Sequence, residues 1–104
     1  VVLFMKGTRE KPGCGFSGRL GSLLSFLDLT FEDVDVLADE TLLEGLEVFS
    51  NLPFVPQLYL QGELVGGCDR VMEMILSGEL DRLLDDKGVA FSREAAEKMR
   101  AANA

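Results

Sequence analysis

Histidine is absent from this 104-residue chain, and with it go His-based metal sites, Ser-His-Asp triads and Cys-His nucleophile pairs. Proton chemistry is left to cysteine, carboxylates, lysine and Tyr59. Cysteine itself is scarce. Cys14 and Cys68 are the only two, too few for a disulfide scaffold, and a chain of this size with a regular hydrophobic pattern does not need one. A reducing compartment suits that usage. No apolar run approaches the ~18 residues of a membrane-spanning helix, and internal repeats and low-complexity tracts are missing, so the reading is a soluble chain with no membrane partner. The sequence opens directly on Val1-Val2-Leu3-Phe4-Met5 without a basic leader or a small-residue cleavage site, and no targeting segment is read there. The length fits one domain with a single core.

The charge that is present is unevenly spread. Against a formal net charge of −8, residues 1–20 hold Lys6, Arg9, Lys11 and Arg19 with Glu10 as the lone acid, leaving an acidic body with a basic end. That balance disfavours nucleic acid, which needs a broad basic footprint, and suits a small anionic ligand near residues 6–19. On charge alone, a solvated loop is the plainer reading.

Val1 to Met5 is a short apolar run closed by Lys6-Gly7 and reads as a buried strand. A loop with Gly7, Pro12, Gly13 and Gly15 follows. Leu20, Leu23, Leu24 and Leu27 then recur at helical spacing, which sets Cys14 at or just before a helix N-terminus. Phe31 to Leu37 alternates as a second strand, with Asp39 as N-cap of the next helix and Thr41 as a competing cap. That helix places Leu42, Leu46 and Phe49 on one side and breaks at Ser50-Asn51-Leu52-Pro53. Val55 to Leu60 is a strand whose Pro56 must sit at its first residues. Gln61-Gly62 turns it into Glu63-Leu64-Val65, making a hairpin. Asp69 is a plausible cap for a helix carrying Val71, Met72, Ile75 and Leu76, and Met72 and Met74 read as core filler rather than metal ligands. A short helix with Leu80, Leu83 and Leu84 comes next. Residues 1–86 form the domain. Beyond them, Ser92 to Ala102 has strong helix propensity but a thin apolar stripe, so residues 87–104 read as an exposed helical extension or a mobile tail. The order β-α-β-α-β-β-α-α predicts an α/β fold with a four-stranded mixed sheet and helices on both faces. Ligands of such sheets collect beyond the carboxyl ends of parallel strands, where Lys6 and the Cys14 loop fall.

Three short stretches carry chemistry. Cys14-Gly15-Phe16-Ser17 stands where a C-x-x-C redox motif would stand, with a hydroxyl in place of the second sulfur, and a hydroxyl cannot resolve a mixed disulfide. A thiol at a helix start with Lys6, Arg9 and Lys11 nearby is biased toward thiolate, which is both nucleophile and soft-metal ligand. Position alone leaves a structural cysteine equally open. An X-Pro bond at Val55-Pro56 that was cis would present the Val55 backbone to a peptide-like ligand, while a trans proline guarding a strand edge is the commoner case. In Gly66-Gly67-Cys68-Asp69 the glycines admit close backbone approach, Asp69 can accept an amino group, and the neighbouring N–H groups can take a carboxylate. Read in isolation, that stretch is a turn with a cap.

In order and spacing, Val2-Leu3-Phe4-Met5-Lys6-Gly7-Thr8, Pro12-x-Cys14-Gly15-Phe16-Ser17, Val55-Pro56-Gln57-Leu58-Tyr59 and Gly62-Glu63-Leu64-Val65-Gly66-Gly67-Cys68-Asp69 together resemble the monothiol glutaredoxins, over residues 1 to about 84. The resemblance implies a thioredoxin fold with glutathione lying along Val55-Pro56. Its glycine carboxylate would sit near Lys6, its γ-glutamyl end at Gly67-Cys68-Asp69, and its sulfur beside Cys14 and Phe16. It also implies a 2Fe-2S cluster shared by a homodimer, bound by Cys14 of each copy and by two glutathione thiolates, and passed to iron-sulfur acceptor proteins in the cytosol, mitochondrial matrix or plastid stroma. One cysteine per chain suffices for that ligation. A monothiol oxidoreductase that removes glutathione from mixed disulfides is the enzyme alternative, with Cys14 attacking and a second glutathione or Cys68 resolving. A non-catalytic thioredoxin-like interaction module is the third. It is motivated by departures from the family pattern: Leu43 where an Arg is usual, Glu47 or Val48 where a Lys is usual, and Leu52-Pro53-Phe54 in place of Trp-Pro-Thr. Losing a charge-assisted partner costs ~1.5–3 kcal/mol if it touches the ligand. Family members usually carry a helix ahead of the first strand, and this sequence begins at the strand.

Overall fold

Alternation along the first strand decides how the molecule is layered. The computed structural model describes residues 1–51 and 54–103. Within it, β1 (Val2–Met5) turns Leu3 and Met5 to one side, both fully buried, and Val2 and Phe4 to the other, as a period of two requires. On the Leu3 side lie α1 (Gly15–Phe26) and α3 (Cys68–Ser77). On the Phe4 side lies α2 (Glu40–Ser50).

The sheet is four-stranded in the order β2-β1-β3-β4. β2 (Glu32–Asp35) runs parallel to β1, while β3 (Gln57–Leu60) is antiparallel both to β1 and to β4 (Glu63–Gly66). This is the expected α/β thioredoxin fold with helices on both faces. Leu20, Leu24 and Leu27 of the first helical stripe join Leu58, Leu60, Val71 and Ile75 in one core. Each such leucine is worth ~1.5–3 kcal/mol in apolar burial, and truncation to alanine would cost ~2–5 kcal/mol.

Two further helices complete the chain, α4 (Glu79–Asp86) and α5 (Arg93–Ala102). The last is not an exposed appendage. Ala95 and Ala96 are buried in the common core, Ser92 caps the helix by accepting the Ala95 N–H, and Arg100 donates to the Ile75 carbonyl at 2.9 Å and to Asp81 at 3.1 Å. Small side chains let the helix approach closely, so a thin apolar stripe is enough.

Other expectations are corrected in detail. β2 stops at Asp35 instead of Leu37, because the Asp35 carboxylate accepts the Leu37 N–H at 2.9 Å and folds the chain into a turn. Asp39, not Thr41, caps α2, and Thr41 donates both its N–H and its hydroxyl to that carboxylate. Of the three apolar residues assigned to one side of α2, only Leu46 is buried, whereas Leu42 is 39% and Phe49 72% exposed. With Val2, Phe4 and Tyr59 they line an open apolar groove of about 450 Å³. Asp69 does not cap α3. Gly67 holds the cap position with no side-chain bond, which leaves Asp69 in the first turn. Leu52 and Pro53 lie outside the described residues.

Candidate functional site

The site is built from the loop that leaves β1. Gly7 has φ +82°, and a Cβ there would meet Gly13 N and Lys11 O at 2.5 Å, so only glycine closes this turn. The Gly13 N–H donates to the Lys6 carbonyl at 2.7 Å. Cys14 follows in extended conformation as the N-cap of α1. Its Sγ accepts the Ser17 N–H at 3.4 Å and lies 3.2 Å from the Ser17 hydroxyl. Ser17 is fully buried, and its Oγ also accepts the Lys6 N–H at 3.0 Å. The Cys14 thiol donates to Ser17 Oγ, and once the sulfur is a thiolate the Ser17 hydroxyl can donate to it in return.

Cys14 is half-buried, and burial is the largest single influence on its thiol, pushing the pKa up. The Ser17 hydroxyl, the Ser17 and Phe16 N–H groups and the Lys6 charge together outweigh it, so the pKa falls below the ordinary thiol value. Of the cations expected to act here, only Lys6 does. Arg9 is engaged elsewhere, with its Nε 3.1 Å from Asp33 Oδ1. Backbone donation from Arg9 is the main reason the Asp33 carboxyl lies below its usual range.

Two residues into α1, Phe16 lines a groove of about 440 Å³ together with Phe54, Val55, Pro56, Gly67, Cys68, Asp69 and Arg70. The Val55-Pro56 bond is cis, and β3 begins only after it, at Gln57. Gly67 comes close enough to the opposite wall that a Cβ would meet the Phe54 ring and the Pro56 carbonyl at 3.2 Å. Six predicted residues thus share one cavity wall: Phe16, Val55, Pro56, Gly67, Cys68 and Asp69. Cys14 and Lys6 are outside that lining, linked to it through the start of α1. Cys68 is 7% exposed, and burial, opposed by Arg19 and aided by Asp69, raises its thiol pKa.

Sequence reasoning missed several residues. Gln57 is fully buried, donates to the Phe54 carbonyl at 2.7 Å and to Ser50 Oγ at 3.2 Å, and accepts the Tyr59 hydroxyl, so it supports the 54–56 wall from behind. A buried glutamine in an apolar strand is the signal that could have exposed it, since such a side chain must be hydrogen-bonded. Arg70 lines the groove while its guanidinium bonds Glu73 and Glu79. Leu43 is half-buried against the Val36, Leu46 and Tyr59 cluster, and neither it, Glu47 nor Val48 lines the groove. Among the described residues no group of three or more His, Cys, Asp or Glu side chains could hold a metal ion. The donor chemistry present is one accessible, thiolate-biased sulfur. It fits a soft metal or cluster only as one ligand, with the remaining thiolates supplied from outside the chain.

Comparison with known proteins gives a consistent result. The family model described as Glutaredoxin matches residues 1–65. The chain is 54% identical over 87 residues to probable monothiol glutaredoxin 2 of Rickettsia typhi, an alignment covering 84% of this chain and 78% of that protein. It is 46% identical over 101 residues to monothiol glutaredoxin-S11 of Oryza sativa subsp. japonica, covering 97% of this chain and 21% of that one, so it spans about a fifth of that longer relative. Its fold is similar to the solution structure of a monomeric truncated mutant of Trypanosoma brucei 1-C-Grx1, with TM-score 0.81, 39% identity, and coverage of 86% and 82% of the two chains. It is also similar to a buckwheat glutaredoxin in complex with glutathione, with TM-score 0.73, 26% identity, and coverage of 84% and 77%. A lone thiolate-biased sulfur at the start of a helix, a groove walled by a cis proline and these relationships agree: the chain belongs to the monothiol glutaredoxin family.

Proposed function

We propose that the chain binds glutathione in the groove along Val55-Pro56, and that two copies hold a 2Fe-2S cluster as cargo for delivery to iron-sulfur acceptor proteins. The observation that carries this reading is the Cys14 sulfur, half-exposed at the start of α1 and held toward thiolate by Ser17, Phe16 and Lys6. In this reading glutathione extends its backbone along Val55 and Pro56. Its γ-glutamyl end meets the N-terminus of α3 at Gly67, Cys68 and Asp69, where free N–H groups favour a carboxylate. Lys6 serves the glycine carboxylate, Phe16 covers the thiol, and Cys14 supplies one thiolate per copy to the cluster. The buckwheat glutaredoxin structure with glutathione supports the ligand class. Anaerobic reconstitution with iron, sulfide and glutathione tests the proposal. The expected outcome is visible absorbance together with a doubled mass by size exclusion. Protein that stays colourless and monomeric while Cys14 still alkylates would overturn it.

The lowered Cys14 pKa favours a second reading, a slow thiol-disulfide exchange. The Cys14 thiolate attacks the glutathione sulfur of a mixed disulfide, forming a Cys14–glutathione disulfide and releasing the protein thiolate, which takes a proton from water. A second glutathione thiolate then attacks that disulfide, giving glutathione disulfide and restoring the Cys14 thiolate. Turnover that survives Cys68→Ser but not Cys14→Ser supports it with glutathione as the resolving thiol.

A further inference from the structure

Arg9 was expected to lend its charge to a ligand, yet the structure ties it to the edge strand. Its N–H donates to Asp33 Oδ2 at 3.0 Å and its Nε to Asp33 Oδ1 at 3.1 Å, while the guanidinium also donates to the Phe31 carbonyl and lies 3.9 Å from the centroid of the Phe31 ring. Phe31 is only 5% exposed and belongs to the main core, so the anchor is fixed. The loop that carries Arg9 is itself closed. Thr8 and Lys11 exchange backbone hydrogen bonds, Gly7 bridges to Pro12, and the Gly7 N–H donates to Asp35 Oδ1 at 2.9 Å. One end of this small hairpin is Lys6 and the other is Gly13, directly before Cys14. At Lys6 the backbone N–H donates to Ser17 Oγ, the same atom that accepts the Cys14 thiol at 3.2 Å and can return its own proton to the sulfur once that is a thiolate.

We propose that Arg9 and Asp33 are positioning residues for Cys14, a clasp that fixes the Lys6–Gly13 hairpin so that Ser17 is presented to the sulfur in one orientation. The inference deepens the proposed site and rests on Cys14 as its reactive atom. The line of contact is continuous: Phe31 and Asp33 hold Arg9, Asp35 holds Gly7, the closed hairpin carries that constraint to Lys6, and Lys6 orients Ser17. Without the clasp the hairpin keeps its internal bonds but loses its tether at the tip. The Ser17 hydroxyl then samples orientations that do not reach the sulfur, and the thiol becomes a slower nucleophile.

The test is the rate of Cys14 alkylation by iodoacetamide at a fixed neutral pH, measured in a Cys68→Ser background for the parent, Arg9→Ala, Asp33→Ala, the double variant, and Arg9→Lys. Couplings carried through such networks amount to roughly two- to thirtyfold in rate. Each alanine variant is expected to react slower by about that factor, the double variant no slower than either single, and Arg9→Lys in between. Circular dichroism and the thermal midpoint report folding for each variant, and any variant that is not folded is replaced by Asp33→Asn, which keeps the shape and removes the charge. Unchanged rates in folded variants would reduce the clasp to a structural tie and overturn the proposal. Losses that add in the double variant would overturn it as well, because they would mean Arg9 and Asp33 act separately. Alkylation needs neither glutathione nor iron, so this outcome and that of cluster reconstitution are independent.

Discussion

Two helices of this protein begin with a cysteine, and the two sulfurs differ in nearly every respect. Cys14 caps α1 from an extended backbone and is half-exposed, whereas Cys68 is the first residue of α3 and is almost fully buried. Burial pushes both thiols up. At Cys14, hydrogen bonds from Ser17 and Phe16 together with the Lys6 charge reverse that push. At Cys68 the charge and hydrogen bond of Arg19 do not, and Asp69 adds to the rise. The contrast shows that a helix N-terminus is not by itself an activating environment. At the cap position the Cys14 sulfur receives hydrogen bonds from Ser17 and Phe16 that offset its burial, whereas one residue into the helix the Cys68 sulfur is governed by burial.

The sharpest break of the comparison is to remove each sulfur in turn. Cys14→Ser should reduce native-state alkylation by iodoacetamide to background, while Cys68→Ser should leave it essentially unchanged. Mass spectrometry of the labelled protein separates the two. Labelling of Cys68 at a comparable rate in the native protein would erase the distinction.

Ser17 is the next lever, because it links Cys14 to the loop before it. Ser17→Ala is expected to raise the Cys14 pKa toward the ordinary thiol value, followed by thiolate absorbance near 240 nm as pH is varied. It also orphans the Lys6 N–H, and an unsatisfied buried donor costs ~1–3 kcal/mol, readable as a lower urea midpoint. A variant that lost stability with no shift at Cys14 would assign the activation to the backbone N–H groups and the Lys6 charge.

How much of this was legible in the chain follows from the same physics. Apolar periodicity placed the first helix and the buried strands, because Leu20, Leu24 and Leu27 answer to one core and local spacing reports that directly. The groove was legible through the Val55-Pro56 and Gly66-to-Asp69 stretches, whose backbone peculiarities are written in proline and glycine. Sequence could not reveal which polar side chains satisfy one another over long separations. Arg9 looked like a free cation until Asp33 and Phe31 were brought beside it, and Gln57 looked like an ordinary strand residue until Phe54 and Ser50 met it. The exposed face of α2 failed for a related reason, since helical spacing identifies an apolar stripe without supplying the surface that covers it.

Alkaline pH should move the two sulfurs in opposite directions. For Cys14 the folded pKa lies below the ordinary thiol value of the unfolded chain, so between those two values the unfolded chain binds more protons and stability rises with pH. For Cys68 the folded pKa lies above it, so its contribution is full below the unfolded value and is lost as pH rises through the folded one. Urea unfolding at neutral pH and again near pH 10 should therefore find Cys68→Ser less sensitive to alkali than the parent and Cys14→Ser more so. The same direction in both variants would mean that one of the two environments is misread.

The smallest effect is expected at Asp69, where the comparison can be adjusted without removing either sulfur. Its carboxylate acts on Cys68 as a like charge to the thiolate, and it ranks behind burial and behind the opposing Arg19 charge. Asp69→Asn keeps the shape and hydrogen-bonding reach of the side chain and removes only that repulsion. The Cys68 pKa should come down while staying above the ordinary thiol value, because burial is untouched, and stability at neutral pH should change by less than ~0.5 kcal/mol, as for a surface substitution away from the core. Cys14 should titrate as before, since its own causes are burial, Ser17, Phe16 and Lys6, with no part from Asp69. Reaction with a small disulfide reagent across the alkaline range, in a Cys14→Ser background for Cys68 and in a Cys68→Ser background for Cys14, reads the two separately. If the Cys14 profile moved with Asp69, the two helix starts would share one electrostatic environment across the groove and the contrast between them would have to be redrawn as a coupling.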